Sequence, residues 1–218
     1  MPKIKMPKSA PSLDMTPMVD LGFLLVTFFI LTAKFRPNEP VIVDVPSATS
    51  ELLLPEKVMQ ITVDDKGRVF FDLAGKDIRR EMLSRMVQRH PELKLTEDEA
   101  RKFALLGMCG MPLNNLSQYL SADEKTRAAF DEQTKGIPTD SINGELGDWI
   151  QSGYEAFMDD AAKHCLEPKD IKGDKALRYA IKADGTTDYE KVEQVIDVFR
   201  EKSIFQFNMV TTLESGSK

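Results

Sequence analysis

The chain has 218 residues, room for one large domain or two small ones, and 42% apolar with 29% charged residues excludes wholesale disorder. Its net charge of 29 − 35 = −6 argues against a general affinity for nucleic acid, because phosphate binding needs a basic face. Two cysteines and two histidines are too few for a structural zinc cluster or a disulfide-dense scaffold.

Residues 1–14 form a short basic tail with Lys3, Lys5 and Lys8 and no acid before Asp14. The run 15–33, MTPMVDLGFLLVTFFILTA, then carries a single charge, Asp20. As a helix it would cover about 28 Å, close to the hydrocarbon thickness of a bilayer. Asp14 or Thr16 can cap its start, and Pro17 suits the first turn, where its missing N–H leaves nothing unpaired. Lys34, Arg36 and Pro37 mark its end. The expected element is one transmembrane helix over 15–36. A cleaved signal peptide would also begin with lysines, but this run contains an acid and lacks a small-x-small site. A buried core helix is the other competitor. Three lysines before the helix against Lys34 and Arg36 after it favour a cytoplasmic N-terminus, with the rest of the chain outside a bacterial inner membrane.

Asp20 is the most informative residue. A carboxylate in the apolar zone costs on the order of 3 kcal/mol, so it normally faces water or a protein partner. Helical spacing sets Thr16, Asp20, Phe23, Thr27 and Leu31 on one stripe, which a short proton path could use, with Thr16 and Thr27 as pore-facing helpers. The alternative is that Asp20 sits at the headgroup boundary and favours the positive end of the helix.

The string Leu13-Asp14-Met15-Thr16-Pro17-Met18-Val19-Asp20, leading into a lone apolar helix, resembles the opening of the ExbD/TolR family. That resemblance implies a homodimer inside a pentamer of a polytopic ExbB/TolQ-like membrane subunit, passing energy to a TonB- or TolA-like transducer. Asp20 would be the proton-carrying group. It also implies a small periplasmic α+β domain of two layers; a soluble enzyme is a second alternative, which the absence of a catalytic set or cofactor motif speaks against.

Residues 37–57 then read as a periplasmic linker in which Val41, Val43 and Val45 alternate, a strand period expected to pair with a sheet edge. Residues 58–95 read as strand, turn, strand and helix, with VMQITVD, a turn at Asp65-Lys66-Gly67, RVFFDLAG, and a helix from Lys76 to about Gln88. Residues 175–214 add the strand LRYAIKAD, the helix YEKVEQVIDVFREK and the strand IFQFNMVTTL. This ββα–βαβ pattern, with Lys182-Ala183-Asp184 and Tyr189, resembles the family's periplasmic domain; 215–218 is a tail.

Residues 96–174 depart from the family, which needs only a short connection here. They read as a mainly α-helical insertion, with capping boxes at Thr96–Glu99 and Ser121–Glu124 and an amphipathic stretch around the only Trp, Trp149. A graft tolerated at the surface would be removable through a short Gly/Ser linker. Trp149, Tyr154 and Phe157 are then either partner contacts or the insertion's own core. Cys109 and Cys165 pair in an oxidising periplasm or remain two free thiols. No cofactor, metal or catalytic constellation is evident. The reading that follows is a proton-driven motor subunit coupling the proton motive force to transport toward the outer membrane. Its rival is a membrane-anchored periplasmic adaptor in which Asp20 moves no proton.

Overall fold

A hairpin of alternating apolar residues starts the sheet: β2 (Val58–Val63) and β3 (Val69–Leu73) pair antiparallel, Met59 opposite Leu73 and Val63 opposite Val69. The turn between them uses Gly67 at φ 71°, and Asp64 Oδ1 accepts the backbone N–H groups of Lys66 and Arg68. The computed structural model describes residues 15–33, 39–41, 43–45, 47–48, 57–139, 144–164, 176–210 and 212–213. The chain divides into two units, Met1–Arg36 and Pro37–Lys218. The first contains helix α1 (Thr16–Thr32).

In the second unit, β4 (Arg178–Ala183) lies parallel to β2, and β5 (Asn208–Val210) lies parallel to β4. The four-stranded order is β3-β2-β4-β5. A two-residue strand β1 (Ser47–Ala48) pairs parallel with β6 (Thr212–Leu213). Helices α2 (Lys76–Arg89) and α7 (Tyr189–Glu201) follow β3 and β4, close to the bounds expected from periodicity. The mixed α/β domain therefore shows the ββα and βαβ halves. Side chains alternate along the strands, so Met59, Ile61, Val63, Phe71, Leu73 and Ile181 enter one core under the helices.

The segment expected to be a graft belongs to that same core. Its helices are α3 (Glu97–Leu105), α4 (Leu113–Ser121), α5 (Glu124–Gln133) and α6 (Glu145–Lys163). Helix α6 packs along α2, and Gly153 lets it lie close to the sheet: a Cβ there would be 2.7 Å from the Met59 side chain of β2 and 3.4 Å from Met82 of α2. Trp149 is 0% exposed, with its ring 5.6 Å from Phe71 and 5.9 Å from Phe103. Phe157 is buried too, whereas Tyr154 is exposed.

The same segment covers the outer edge of β3. Phe71 and Cys109 exchange two backbone hydrogen bonds at 2.8 Å, and the Ile137 N–H donates to Val69 O at 2.9 Å. Gly136 makes that approach possible, with φ 80° and no room for a Cβ against the Val69 nitrogen. An uncovered β3 would present a row of unpaired backbone groups. The described residues of this segment, 96–139 and 144–164, thus complete the sheet rather than decorate it, because the hairpin alone leaves Phe71 and one strand edge uncovered.

One capping expectation holds and one does not. Thr96 and Glu99 form the reciprocal capping box of α3. Helix α5, by contrast, begins at Asp123 with no side-chain cap, since Ser121 Oγ donates to Glu99 Oε1 at 2.6 Å instead.

Candidate functional site

Helix α1 is apolar on every side, and none of its residues is buried. Phe23 is 66% and Leu31 86% exposed, and Asp20 is also open. Its N-cap is Met15, with no side-chain cap bond, so Thr16 is not the N-cap, and Asp14 lies outside the described residues; Pro17 falls in the first turn. Thr27 Oγ1 donates back to its own helix, to Phe23 O at 3.0 Å and Leu24 O at 2.9 Å, and Thr32 Oγ1 does the same to Phe28 O. These bonds satisfy the hydroxyl proton within the helix and leave the oxygen's lone pairs as acceptors. Seventeen residues give about 26 Å of helix. Among the described residues no helix is long and apolar enough to cross a membrane.

In the second unit, the valine segment is fastened to the back of the sheet. Val41 and Val43 are buried with Phe70 and Met108, and Val45 packs beside them. Strand pairing begins only beyond them, at Ser47–Ala48 of β1. The Asp44 N–H donates to Asp184 Oδ2 at 2.9 Å, and the Gly185 N–H donates to Asp44 O at 2.8 Å. Asp184 also accepts from the Thr186 hydroxyl and N–H, which holds its carboxyl below the usual range. The Lys182-Ala183-Asp184 string therefore works as a fastening, since Lys182 approaches Glu39 at 3.8 Å and Asp184 ties down the backbone at Asp44.

A second polar cluster, absent from the sequence expectations, lies between α4 and α5. Asp131 is 8% exposed; its Oδ2 accepts from the Tyr119 hydroxyl at 3.2 Å, while its Oδ1 is buried with no hydrogen-bond partner among the described residues. Burial raises its carboxyl to about 6, against the opposing pull of the Tyr119 bond, Arg127 and Arg68. Nothing in the sequence distinguishes Asp131 from neighbouring surface acids. On the α3 side, Glu99 takes the opposite direction: Ser121, then Thr96 and Ser117, hydrogen-bond its carboxylate and hold it at about 2. Cys109 is a free, buried thiol that burial pushes up to about 12, and Cys165 lies outside the described residues.

The described residues thus combine an exposed apolar helix with one acid and a ββα–βαβ domain backed by a segment of alternating valines. The description "Biopolymer transport protein ExbD/TolR" matches residues 6–214, and the chain belongs to that family. The family is associated with biopolymer-transport motors, works with ExbB/TolQ-type partners and is typically found at the inner membrane. No curated protein and no solved structure matches the chain.

Proposed function

We propose that the chain is the single-pass subunit of an inner-membrane motor, with α1 and its flanking residues set in the membrane. Its dimer would lie inside an ExbB/TolQ-like pentamer, with the α+β domain in the periplasm facing a TonB- or TolA-like transducer. The observation that carries this reading is the all-round exposure of α1's apolar side chains around a single acid. Such a helix finds no partner within itself, and water is a poor solvent for Phe23, Phe28, Phe29 and Ile30 on all its faces. Lipid covers most of that surface, and a pore-lining partner covers the stripe that carries Asp20.

Asp20 then acts as the proton carrier. A neutral carboxyl is inexpensive in the apolar zone and an ionised one is not, so loading and release of a proton change which contacts of the helix are favourable. Thr16, one turn earlier, and Thr27, two turns later, flank it on the same stripe and offer acceptor oxygens. The tether converts helix movement into tension on Val41, Val43 and Asp44, and so on the sheet. The competing reading, an anchored adaptor, needs the same helix but no titration of Asp20.

One substitution separates the two. Asp20→Asn removes the charge and keeps the volume, so membrane insertion and the folded domain should persist while energy-dependent transport is lost. Wild-type transport in cells carrying only Asp20→Asn rejects the motor and leaves the adaptor.

A further inference from the structure

A cleft of about 560 Å³ opens in the second unit where α6, the start of β4 and the chain leaving α7 meet. Ile150, Ile204, Phe205 and the rings of Tyr154 and Tyr179 wall it. Phe205 is 75% and Tyr154 43% exposed, so part of this apolar surface stays open to solvent. The motor reading uses none of it, and nothing about the cleft depends on α1 or on Asp20.

The polar groups set around these walls are unspent. The hydroxyls of Tyr154, Tyr179 and Ser203 and the Lys202 ammonium have no hydrogen-bond or ion-pair partner among the described residues. Tyr154 and Ser203 lie on the surface, and the half-buried Tyr179 and Lys202 keep their polar ends accessible to solvent. Lys202 is the one charged residue lining the cleft, in a chain whose net charge is −6. Its stem lies over Gly147 of α6, where a Cβ would come within 2.9 Å of Cε. Lys202 also borders a second cleft with Asp148, Asp197 and Glu201, yet it forms no ion pair with any of them. Glu155, next to Tyr154, is already taken by Arg85 and Arg89.

Ser203 adds a backbone observation. Its φ of 58° is the left-handed turn that closes α7, with its N–H on Arg200 O and the Ile204 N–H on Phe199 O. Glycine is the usual residue at such a helix end, because a side chain is strained there. Here the strained position carries a hydroxyl at the cleft, and strain of this kind gathers at ligand clamps.

We propose that the cleft binds a small monocarboxylate with an aromatic or branched aliphatic body, its carboxylate on Lys202 and Ser203 and its body among Tyr154, Ile204 and Phe205. One ammonium balances one carboxylate, whereas a phosphate monoester brings nearly two negative charges near neutral pH. Burial, and then the neighbouring Tyr154, pushes the Tyr179 hydroxyl up to about 12, so it keeps its proton and donates without adding charge. Apolar walls with a few convergent polar groups are the usual make-up of a small-ligand site. A free acid and the last residue of a peptide present the same chemistry. Because Ile150 and Tyr154 belong to α6, the segment that departs from the family's short connection supplies one wall.

The test uses the full-length chain in detergent micelles, titrated calorimetrically at pH 7.5, with each titration repeated into protein-free micelles to remove partitioning. The ligands are 4-phenylbutanoate, its uncharged amide, acetate and N-acetyl-glycyl-phenylalanine. 4-Phenylbutanoate should bind saturably, and the amide and acetate about tenfold more weakly or worse, each lacking one half of the recognised chemistry. A gain of about tenfold for the peptide acid over 4-phenylbutanoate assigns the site to a peptide end, and any smaller ratio assigns it to free acids. Lys202→Met keeps the stem over Gly147 and should weaken 4-phenylbutanoate binding about tenfold or more. Ser203→Gly relieves the positive φ, so the domain should melt no earlier, while binding weakens about threefold. No saturable binding of 4-phenylbutanoate, equal binding of the amide, or unchanged affinity in Lys202→Met overturns the site. If Lys202→Met does not melt cooperatively, Ser203→Gly decides, and unchanged affinity there overturns it.

Discussion

Helices α1 and α6 are of similar length, 17 and 19 residues, and solve opposite problems. Helix α6 buries nine residues, among them Leu146, Trp149, Ile150 and Phe157, and turns its charges outward. There Arg85 of α2 meets Glu155 at 3.2 Å and also Asp159, Arg89 meets Glu155, and His90 Nε2 lies 3.1 Å from Asp148. Helix α1 buries nothing and has no polar face to turn outward. An amphipathic helix tells the chain where its partner is, because its apolar stripe must meet another apolar surface of the same fold. A helix that is apolar all round gives no such direction. The difference lies in the placement of charges, one in α1 against six acids and bases in α6.

Removing α6 and its neighbours should have the most severe consequence. Replacing 96–174 by a short Gly/Ser linker should leave the chain unfolded, since it strips Trp149 and Phe157 from the core and bares the β3 edge held by Cys109 and Ile137. Circular dichroism and limited proteolysis of the deletion variant measure this. A cooperatively melting, protease-resistant product would restore the graft view. Trp149→Ala asks the same question at one residue. A fully buried aromatic replaced by Ala costs about 3–5 kcal/mol, a large part of a typical domain's 5–15, so denaturant melts should show a loss of that size. A loss below about 1 kcal/mol would mean that Trp149 is not a core residue.

Glu99 ties the same helices together through charge. Its carboxylate, held at about 2 by Ser121, Thr96 and Ser117, lies below the unfolded value of 4.5. A depressed acid contributes stability that is fully present above pH 4.5 and is lost as the pH falls through 2. Glu99→Gln should therefore cost about 2 kcal/mol at pH 7, the range for hydrogen bonds to a charged group, and progressively less as pH is lowered from 5 to 2. Parallel melts of both proteins across that range give the difference. A difference independent of pH would show that the ionised form does no stabilising.

Much of this architecture is legible from residue order. The period-two runs and the turn at Gly67 place β2 and β3, and the stripe of Val192, Val195 and Phe199 places α7, because local periodicity and turn chemistry are encoded within a few residues. Asp20 stands out for the same reason, as one acid in an apolar run. What stays hidden depends on contacts distant in sequence. Phe71 meeting Trp149 and Cys109, Ser121 bonding Glu99 rather than capping α5, and Asp131 left half-unpaired between α4 and α5 have no local signature. Residues 96–174 read as separable in the sequence for that reason. Length beyond a family's usual connection suggests an addition, but only the edge of β3 and the face of α2 reveal that the added helices are structural.

The smallest expected effect returns to α1. Thr27 sits two turns beyond Asp20 on the same stripe, and its hydroxyl proton is already committed to the carbonyls of Phe23 and Leu24. A side chain that donates inward cannot hand its proton to Asp20 without breaking that bond, so its contribution to transfer is limited to an acceptor oxygen. Thr27→Val keeps the β-branched shape and removes the oxygen. Insertion should be unchanged, and transport should fall by no more than a few fold, far less than with Asp20→Asn. Transport assays of the two variants side by side decide it. Loss as complete as that of Asp20→Asn would make Thr27 an obligatory relay, and the helix would have to release its inward bond during the cycle.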